Sequence, residues 1–289
     1  MESVEVRVPT GLRRADGLQR RMWLRPWSGE DAAALGEGPT ANAPLAARTS
    51  ELLGRCLALA AAATPAGAEV ARELTVGDRE ALLLHLHRLT NGDRLDLVAG
   101  CSRCGERIEL ELRAGDLLLP TEPPGEAERW TELTGAGGVV SVRVRLPTGE
   151  DQERAARRAA DDEAAAARDL LRACVLEVGA ADAVVESEGA RRALPDELEP
   201  ALAEKLGELD PQAEIRLAAS CPHCRADLEL SFDAGELVHA EIDAARDRLF
   251  REVHVLALYY HWSEREILAM TAARRRRYLE LLARAREEA

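Results

Sequence analysis

Two Cys-x-x-Cys motifs, Cys101–Cys104 and Cys221–Cys224, stand 120 positions apart in this chain. The flanking sequence keeps the same spacing of 120 positions at Leu74/Leu194, Glu109/Glu229, Leu110/Leu230, Ala114/Ala234, Gly115/Gly235 and Leu117/Leu237. About 45 consecutive positions therefore align without a gap, which is the signature of an internal repeat. We interpret the chain as two diverged copies of one module.

Alternating polar and apolar residues on both sides of each motif predict short strands. The first motif lies between 94–98 and 107–112, and the second lies between 214–217 and 227–232. Helical spacing of leucines precedes each of these units, from about Val76 to Leu89 and again from Leu194 to Leu209. Each module is thus predicted to contain a helix followed by a β-hairpin that carries its cysteines at the turn.

Weaker similarities extend the repeat upstream. The strand expected at Val4–Pro9 and the turn Pro9-Thr10-Gly11 resemble the strand at Val142–Leu146 and the turn Pro147-Thr148-Gly149. A Gly-, Ala- and Pro-rich stretch at 29–44 reads as a loop, and helices are expected at 46–62 and, as one long element, at 152–178. Cys56 and Cys174 occupy similar places on the apolar faces of these helices and are interpreted as buried small hydrophobes.

These patterns predict an α+β fold with tandem modules. The expected divisions are a first module at 1–120, a linker at 121–138, a second module at 139–238 and a C-terminal helical extension at 239–289. The two modules are expected to join at a shared site that resembles a zinc ribbon. Apolar residues at helical spacing from Leu237 to Tyr260 predict the first helix of the extension.

The four motif cysteines, Cys101, Cys104, Cys221 and Cys224, are the candidate metal ligands. A structural zinc takes four thiolates in a tetrahedron, and a closed site of this kind leaves no position for substrate. A zinc ribbon normally separates its cysteine pairs by about 15–20 residues, whereas 116 residues separate Cys104 from Cys221. Duplication explains the difference if each module donates half of one shared site.

Three other interpretations of the motifs remain open. Redox activity of the thioredoxin type would require a cysteine pair that opens a helix. The thiols could be unmetallated relics, or each pair could form a separate site completed by histidine. His223 lies inside the second motif, where Arg103 occupies the matching position of the first.

Charge and hydropathy exclude several classes of function. With 38 basic and 52 acidic residues among 289, the formal net charge is −14, which argues against a general nucleic-acid binder. No apolar run is long enough to span a membrane, and the first residues do not resemble a secretory signal. The expected location is the cytoplasm, where thiols stay reduced.

No motif of a known catalytic type is present. The sequence contains no phosphate-binding glycine loop, no Gly-x-Ser-x-Gly and no His-Glu-x-x-His. Arg274–Arg277 form a local basic run that is read as a solvated helical face or as a contact for an acidic partner. We therefore expect a protein that is not an enzyme.

The stretch Leu82–Leu95, followed by Cys-x-x-Cys-Gly and a charged alternating strand, resembles the baseplate hub assembly chaperones of contractile-tailed phages of the T-even type. The likeness extends to their relatives in phage-tail-like contractile injection systems. It covers roughly 70–289, with further support in the tail at 241–243, 251–256, 260–268 and 274–279.

The resemblance implies a zinc-binding chaperone or adaptor in baseplate or hub assembly, with hub, spike, baseplate or tail proteins as partners. Residues proposed to contact such a partner are Leu249, Leu256, Tyr259, Trp262, Ile267 and Tyr278. The alternative is that these side chains cover the body of the same protein. Two other functions stay open: a stable baseplate component of the finished particle, and a zinc-ribbon adaptor for nucleic acid or transcription.

Overall fold

The fold is described from a computed structural model, which defines residues 2–15, 17–61, 63–120, 126–135, 138–179 and 194–287. It combines helices with antiparallel strands, so the predicted α+β class is confirmed. The elements of the first half are β1 (Val4–Arg14), β2 (Gly17–Leu24), α1 (Gly29–Glu37), α2 (Leu45–Cys56), β3 (Leu57–Ala58), α3 (Gly67–Glu73), α4 (Val76–Asn91), β4 (Arg94–Gly100) and β5 (Arg107–Arg113).

The second half contains the same kinds of element in a similar order. They are β6 (Glu128–Gly135), β7 (Gly138–Arg145), α5 (Gly149–Ala159), α6 (Glu163–Ala173), β8 (Val175–Val178), α7 (Glu199–Leu209), β9 (Ile215–Ser220) and β10 (Asp227–Phe232). The chain ends with α8 (Ala234–Tyr260), α9 (Glu264–Leu268) and α10 (Ala272–Glu287). Short 3-10 turns occur at Ala114–Leu117, Asp196–Leu198 and Pro211–Ala213.

Each half pairs its strands into one three-stranded sheet and one hairpin. The sheets have the orders β1-β2-β3 and β6-β7-β8, and β4 pairs with β5 as β9 pairs with β10, always antiparallel. The hairpins arise where the alternation in sequence predicted them. Side chains of one hairpin face pack inward, because successive residues of a strand point to opposite sides.

Two sequence expectations are corrected by the positions of helix starts. The stretch 29–44, expected as a loop, contains α1, and the expected long helix at 152–178 is divided into α5, α6 and β8. The causes are local caps: Ser28 forms a capping box with Asp31, and the Asp162 side chain accepts a hydrogen bond from the Ala165 N–H. Such caps satisfy backbone donors that the first helical turn leaves unpaired.

The strand of the first half that corresponds to β7 is also not the one expected from the sequence. The strand that leads into the Thr148 capping box is β7, and the strand that leads into the Ser28 capping box is β2, not β1. Thr10 and Gly11 lie within β1, and their backbone N–H groups donate to the buried carboxylate of Asp78. The two Pro-Thr-Gly sequences are alike, but Thr10 lies inside a strand and Thr148 caps a helix.

The expected linker at 121–138 contains a strand. Residues 121–125 and 136–137 lie outside the described residues, but β6 pairs with β7 over its full length, from Glu128↔Arg145 to Gly135↔Gly138. Leu133 of β6 is buried in a core that it shares with Val142 and Val144. The segment is therefore part of the second sheet.

The largest core joins the first half to the C-terminal extension. Residues Leu52, Leu53, Leu82 and Leu86 pack in one cluster with Val238, Ile242 and Leu249 of α8. The second sheet has its own core with Cys174 and Leu202, and a third, small cluster surrounds the motif cysteines. Helix α8 thus belongs to the body of the protein.

Candidate metal centre

The two motif cysteine pairs lie in turns of the same geometry. In the turn between β4 and β5, the Gly105 N–H donates to the Cys101 carbonyl and the Cys101 N–H donates to the Glu106 carbonyl, each at 2.9 Å. The turn between β9 and β10 has the same two bonds. The Arg225 N–H donates to the Cys221 carbonyl and the Cys221 N–H donates to the Ala226 carbonyl, again at 2.9 Å. These bonds fix the backbone so that both thiols of a pair point out of the turn.

A left-handed residue closes each turn. Gly105 has a φ of 77° and Arg225 has a φ of 56°. The left-handed region suits glycine, which has no Cβ, and is unfavourable for other residues. The second hairpin therefore adopts the turn geometry of the first without the residue that favours it.

The four thiol sulfurs converge on one point. All four Sγ atoms lie within 4.8 Å of one another. The Cys101–Cys224 and Cys104–Cys221 sulfur pairs, each with one member from each half, are both 3.7 Å apart. A tetrahedral zinc with bonds of about 2.3 Å requires sulfurs separated by about 3.8 Å. The spacing across the halves therefore fits one metal ion.

The pKa values of the two thiols of the first pair are shifted in opposite directions. The backbone N–H groups of Cys104 and Arg103 lower the pKa of the Cys101 thiol to about 6. The Glu106 N–H lowers the pKa of Cys104, but desolvation and the neighbouring thiols outweigh it and raise that pKa to about 12. Four thiols this close cannot all ionise unless positive charge compensates them.

Apolar side chains join the two hairpins beneath the sulfurs. Cys101 and Cys221 are buried with Ile108 of β5 and Leu228 of β10. Cys104 is exposed, and Cys224 is half-buried. The site thus lies at an outer edge of the contact between hairpins, where a metal ion can enter.

The structure brings together all four predicted ligands. Among the described residues, no histidine joins this group. His223 is exposed outside the cluster. Neither cysteine pair opens a helix, because each follows one strand and precedes another. The arrangement accordingly differs from that of a thioredoxin-type pair.

Three of the six residues expected to contact a partner are buried in the protein itself. Leu249 is 3% exposed, and Leu256 and Ile267 are fully buried. Their burial corrects the expectation that they face a partner: the apolar stripe that suggested an interface instead packs on the protein's own core. A helix of this pattern shows in sequence that one face is apolar, but not what covers that face.

The other three residues lie near the end of α8. Trp262 stacks on Tyr260 with 4.6 Å between ring centroids, and Tyr278 meets Trp262 edge-on at 4.8 Å. Tyr259 is 42% exposed, and the Arg286 guanidinium lies 5.4 Å from its ring centre. Of the expected arginine run at 274–277, Arg275 is buried against Glu252 and the others are exposed.

An Arg–Asp ion pair that the sequence analysis did not predict also repeats in the two halves. Arg25 binds Asp31 at 2.7 Å, and Arg145 binds Asp151 at 2.5 Å, 120 positions later. In each half the aspartate also closes a capping box. In the sequence this feature is the motif Arg-x-x-Ser/Thr-Gly-Glu-Asp, which occurs at 25–31 and again at 145–151.

Within the described part of the chain, no helix has the length and apolar character needed to cross a membrane. Neither a curated protein nor a solved structure matches the chain. A family model described as T4 bacteriophage base plate protein matches residues 45–234, from α2 through the second cysteine hairpin. The match covers most of the chain, in agreement with the resemblance noted in its sequence. The chain belongs to the T4 bacteriophage base plate protein family.

Proposed function

We propose that this protein is a zinc-binding assembly factor of a phage-tail-like contractile injection system. It acts in the cytoplasm as a chaperone or adaptor for the baseplate or its hub, and it catalyses no reaction. The observation that carries the proposal is the meeting of four thiols, two from each half of a baseplate-family chain.

Tandem duplication supports a shared site. The element order recurs, and the Arg25–Asp31 and Arg145–Asp151 pairs keep the same 120-position spacing as the cysteines. Backbone contacts recur as well: Arg25 N–H donates to the Cys56 carbonyl at 3.1 Å and Arg145 N–H to the Cys174 carbonyl at 2.8 Å. We infer two copies of one module, at about 1–120 and 139–238, that each supply half of the metal site.

The thiolates of Cys101, Cys104, Cys221 and Cys224 would hold the ion. A bound zinc would supply positive charge and a tetrahedral cross-link between the hairpins. Residues of the two hairpins shield and position the site. Ile108 and Leu228 keep the inner side of the site dry, and the turn amides hold the sulfurs at the distances of a closed site. A closed thiolate site favours a structural role over catalysis.

A role in assembly follows from the family and from the surface. Baseplate proteins work by contact with other baseplate or tail proteins, and the net charge of −14 favours protein partners over nucleic acid. Tyr259, Trp262 and Tyr278 remain the proposed partner contacts at the end of α8. Aromatic side chains of this kind often provide much of the energy of an interface.

Metal content tests the zinc proposal. We expect about one zinc per purified chain, and Cys101→Ser or Cys221→Ser should each abolish most of the binding because either change breaks the same site. Cys56→Ala, in a buried cysteine outside the cluster, is the matched control and should retain zinc. Retention of half the metal by both serine variants would indicate separate sites.

Particle assembly tests the biological role. Deleting the gene should prevent baseplate completion, and a chaperone should be absent from purified particles. Stoichiometric retention in the particle would instead identify a stable structural component, which the family description accommodates equally well. Normal particles without the protein would contradict both roles.

A further inference from the structure

One edge of strand β4 has no neighbouring strand. Among the described residues, β4 pairs only with β5, in a sheet of two antiparallel strands. The Cys101 N–H donates to the Glu106 carbonyl and the Ala114 N–H donates to the Asp93 carbonyl, so these two pairs mark hydrogen-bonded positions of the ladder. Hydrogen-bonded pairs alternate with non-bonded ones along an antiparallel ladder. The backbone groups that point away from β5 are therefore those of Arg94, Asp96, Val98 and Gly100.

This open edge is covered at one end and free at its centre. The Arg94 carbonyl lies 3.1 Å from the His87 Nε2, which covers the edge there. In the described part of the chain, the Val98 N–H and carbonyl have no hydrogen-bond partner, and Val98 is 54% exposed. A strand edge with free backbone groups is able to accept an extended segment of another chain.

A groove of about 260 Å³ follows the open edge of β4. Successive residues of β4 and of β10 line it, together with residues from the first turn of α8. Because the side chains of successive residues point to opposite faces of a strand, this lining places the groove beside the strands rather than over one face. An extended segment in the groove would therefore lie next to free backbone groups.

The face of β4 that looks toward the other hairpin is apolar. Leu97 and Ala99 pack on this side against the cores beneath, and Leu110, Leu217 and Leu237 add apolar surface to the groove. All five side chains are only half-buried. Apolar side chains of an added strand would complete their burial, which is favourable in water.

The opposite face carries negative charge at the centre of the open edge. Glu109 of β5 lies directly across from Val98 and is exposed, and it forms no ion pair with a described residue. Its counterpart in the repeat, Glu229, is instead paired with Arg216 at 2.8 Å. Glu236, also exposed, adds a carboxylate to the lining of the groove. The charge of Glu109 therefore favours a basic occupant, and it favours β4 over β10 as the edge that pairs.

We propose that an extended segment of a partner protein, in which apolar and basic side chains alternate, binds to β4 as an added strand. Its backbone exchanges hydrogen bonds with the N–H and carbonyl of Val98. Its apolar side chains enter the groove and contact Leu97 and Leu237, and its basic side chains lie on the face of Glu109. A second copy of this chain is a poorer occupant, because it would bring another net charge of −14 to an acidic surface.

The inference names the chemistry of a partner for the proposed role in assembly and rests on that role. Peptide binding in solution tests it without particles, so a failure here is distinguishable from a failure of the assembly experiments. The probe is a short fluorescein-labelled peptide in which lysine alternates with valine. Its binding to the full-length protein is measured by fluorescence anisotropy.

Charge reversal tests which edge pairs. Glu109→Lys should weaken peptide binding by about tenfold, because it places a like charge on the face that receives the basic side chains. Glu229→Lys is the matched control, at the equivalent position of the other hairpin, and this variant should bind the peptide normally.

Removal of backbone donors tests strand addition. Val98→Pro takes away an N–H that points away from β5 and should abolish binding, since proline fits the outer side of an edge strand but cannot donate there. Ala218→Pro, at the matching outward position of β9, should bind normally, and circular dichroism checks that both variants are folded. Two peptides N-methylated at every second nitrogen, in opposite phase, probe the unchanged protein. One of them should lose binding, because only alternate nitrogens face β4.

Several results would overturn the proposal. They are normal binding by a folded Val98→Pro protein, normal binding of both N-methylated peptides, an equal loss in Glu229→Lys, and no binding of the parent peptide. A dimer in sedimentation that Val98→Pro dissociates would make a second copy the occupant and overturn it as well.

Discussion

The backbone N–H of Gly77 donates a hydrogen bond of 2.9 Å to the carboxylate of Asp210, which joins the start of α4 to the end of α7. Asp210 is 3% exposed. Nearby, Val76 N–H donates to the Pro147 carbonyl and Gly149 N–H to the Leu74 carbonyl, both at 3.0 Å. The two halves are therefore connected at a polar seam as well as at the cysteine cluster.

Removing the Asp210 carboxylate should destabilise the protein. Asp210→Ala leaves the buried Gly77 N–H without its acceptor, and we expect a loss of about 1–3 kcal/mol in the free energy of unfolding. Glu208→Ala, at a carboxylate whose side chain is 57% exposed, should change it little. Urea denaturation of both variants measures the difference. Equal stability of the two variants would mean that the seam contributes nothing.

Stability should fall as the pH rises from about 6 to 8. Burial raises the pKa of Asp78 to about 7, of Glu80 to about 8 and of Asp210 to about 6. The folded protein thus binds more protons than the unfolded chain, and this stabilisation is lost as the pH rises through the folded pKa values. Burial lowers the pKa of His85 and His239 to about 4, so the stability from these two neutral histidines is lost as the pH falls from about 6.5 to 4 and offsets part of the gain from the three carboxyls.

Asp210→Asn isolates one contribution to this pH dependence. The amide oxygen can still accept from Gly77, but the side chain no longer titrates, so the stability of the variant should depend less steeply on pH between about 4 and 6. The comparison with the unchanged protein also cancels the effect of pH on the cysteines, which are common to both. Parallel pH profiles for the two proteins would show that Asp210 does not titrate in this range.

Chelation should loosen the hairpins but leave the seam closed. If the four thiolates hold zinc, its removal takes away the cross-link between β4–β5 and β9–β10, which otherwise meet through a small apolar cluster. Hydrogen exchange should accelerate in these strands, while the amides of Val76, Gly77 and Gly149 stay protected by bonds across the seam. Faster exchange at both places would show that the seam depends on the metal site.

The cysteine hairpins could be predicted from the sequence because their signals are local. Alternation sets the strands on both sides of Cys101 and Cys221, and two residues between cysteines suffice to form the turn. The repeat then supplied the one long-range relationship, that the hairpins belong together. The convergence of all four sulfurs agrees with that prediction.

Long-range packing could not be predicted in the same way. The spacing of Leu249 and Leu256 showed an apolar helix face, but whether a partner or the protein's own core covers it depends on distant residues such as Leu52 and Leu86. The strand β6 was missed because pairing with β7 defines it more than its own sequence does. The division of α5 from α6 depended on a single cap at Asp162.

Because α8 fills the main core, the C-terminal extension is not a detachable tail. Truncation after residue 238 would remove Ile242 and Leu249, both buried in that core, and would expose their neighbours to water. Point changes at the surface are therefore the better test of partner binding. Tyr259→Ala, at a 42% exposed ring, should preserve folding and reduce assembly if the end of α8 is an interface.

The turns of the two hairpins should respond differently to the same substitution. Gly105→Ala places a Cβ on a residue with a φ of 77° and should destabilise the first hairpin by about 1 kcal/mol. No atom lies within 4 Å of that Cβ position, so the cost is one of backbone conformation rather than collision. Arg225→Ala is the matched control, since a side chain already occupies the left-handed region there. Thermal unfolding and competition with a zinc chelator should both show a weaker Gly105→Ala protein and a nearly unchanged Arg225→Ala protein; the reverse order would mean that strain at the turns does not govern hairpin stability.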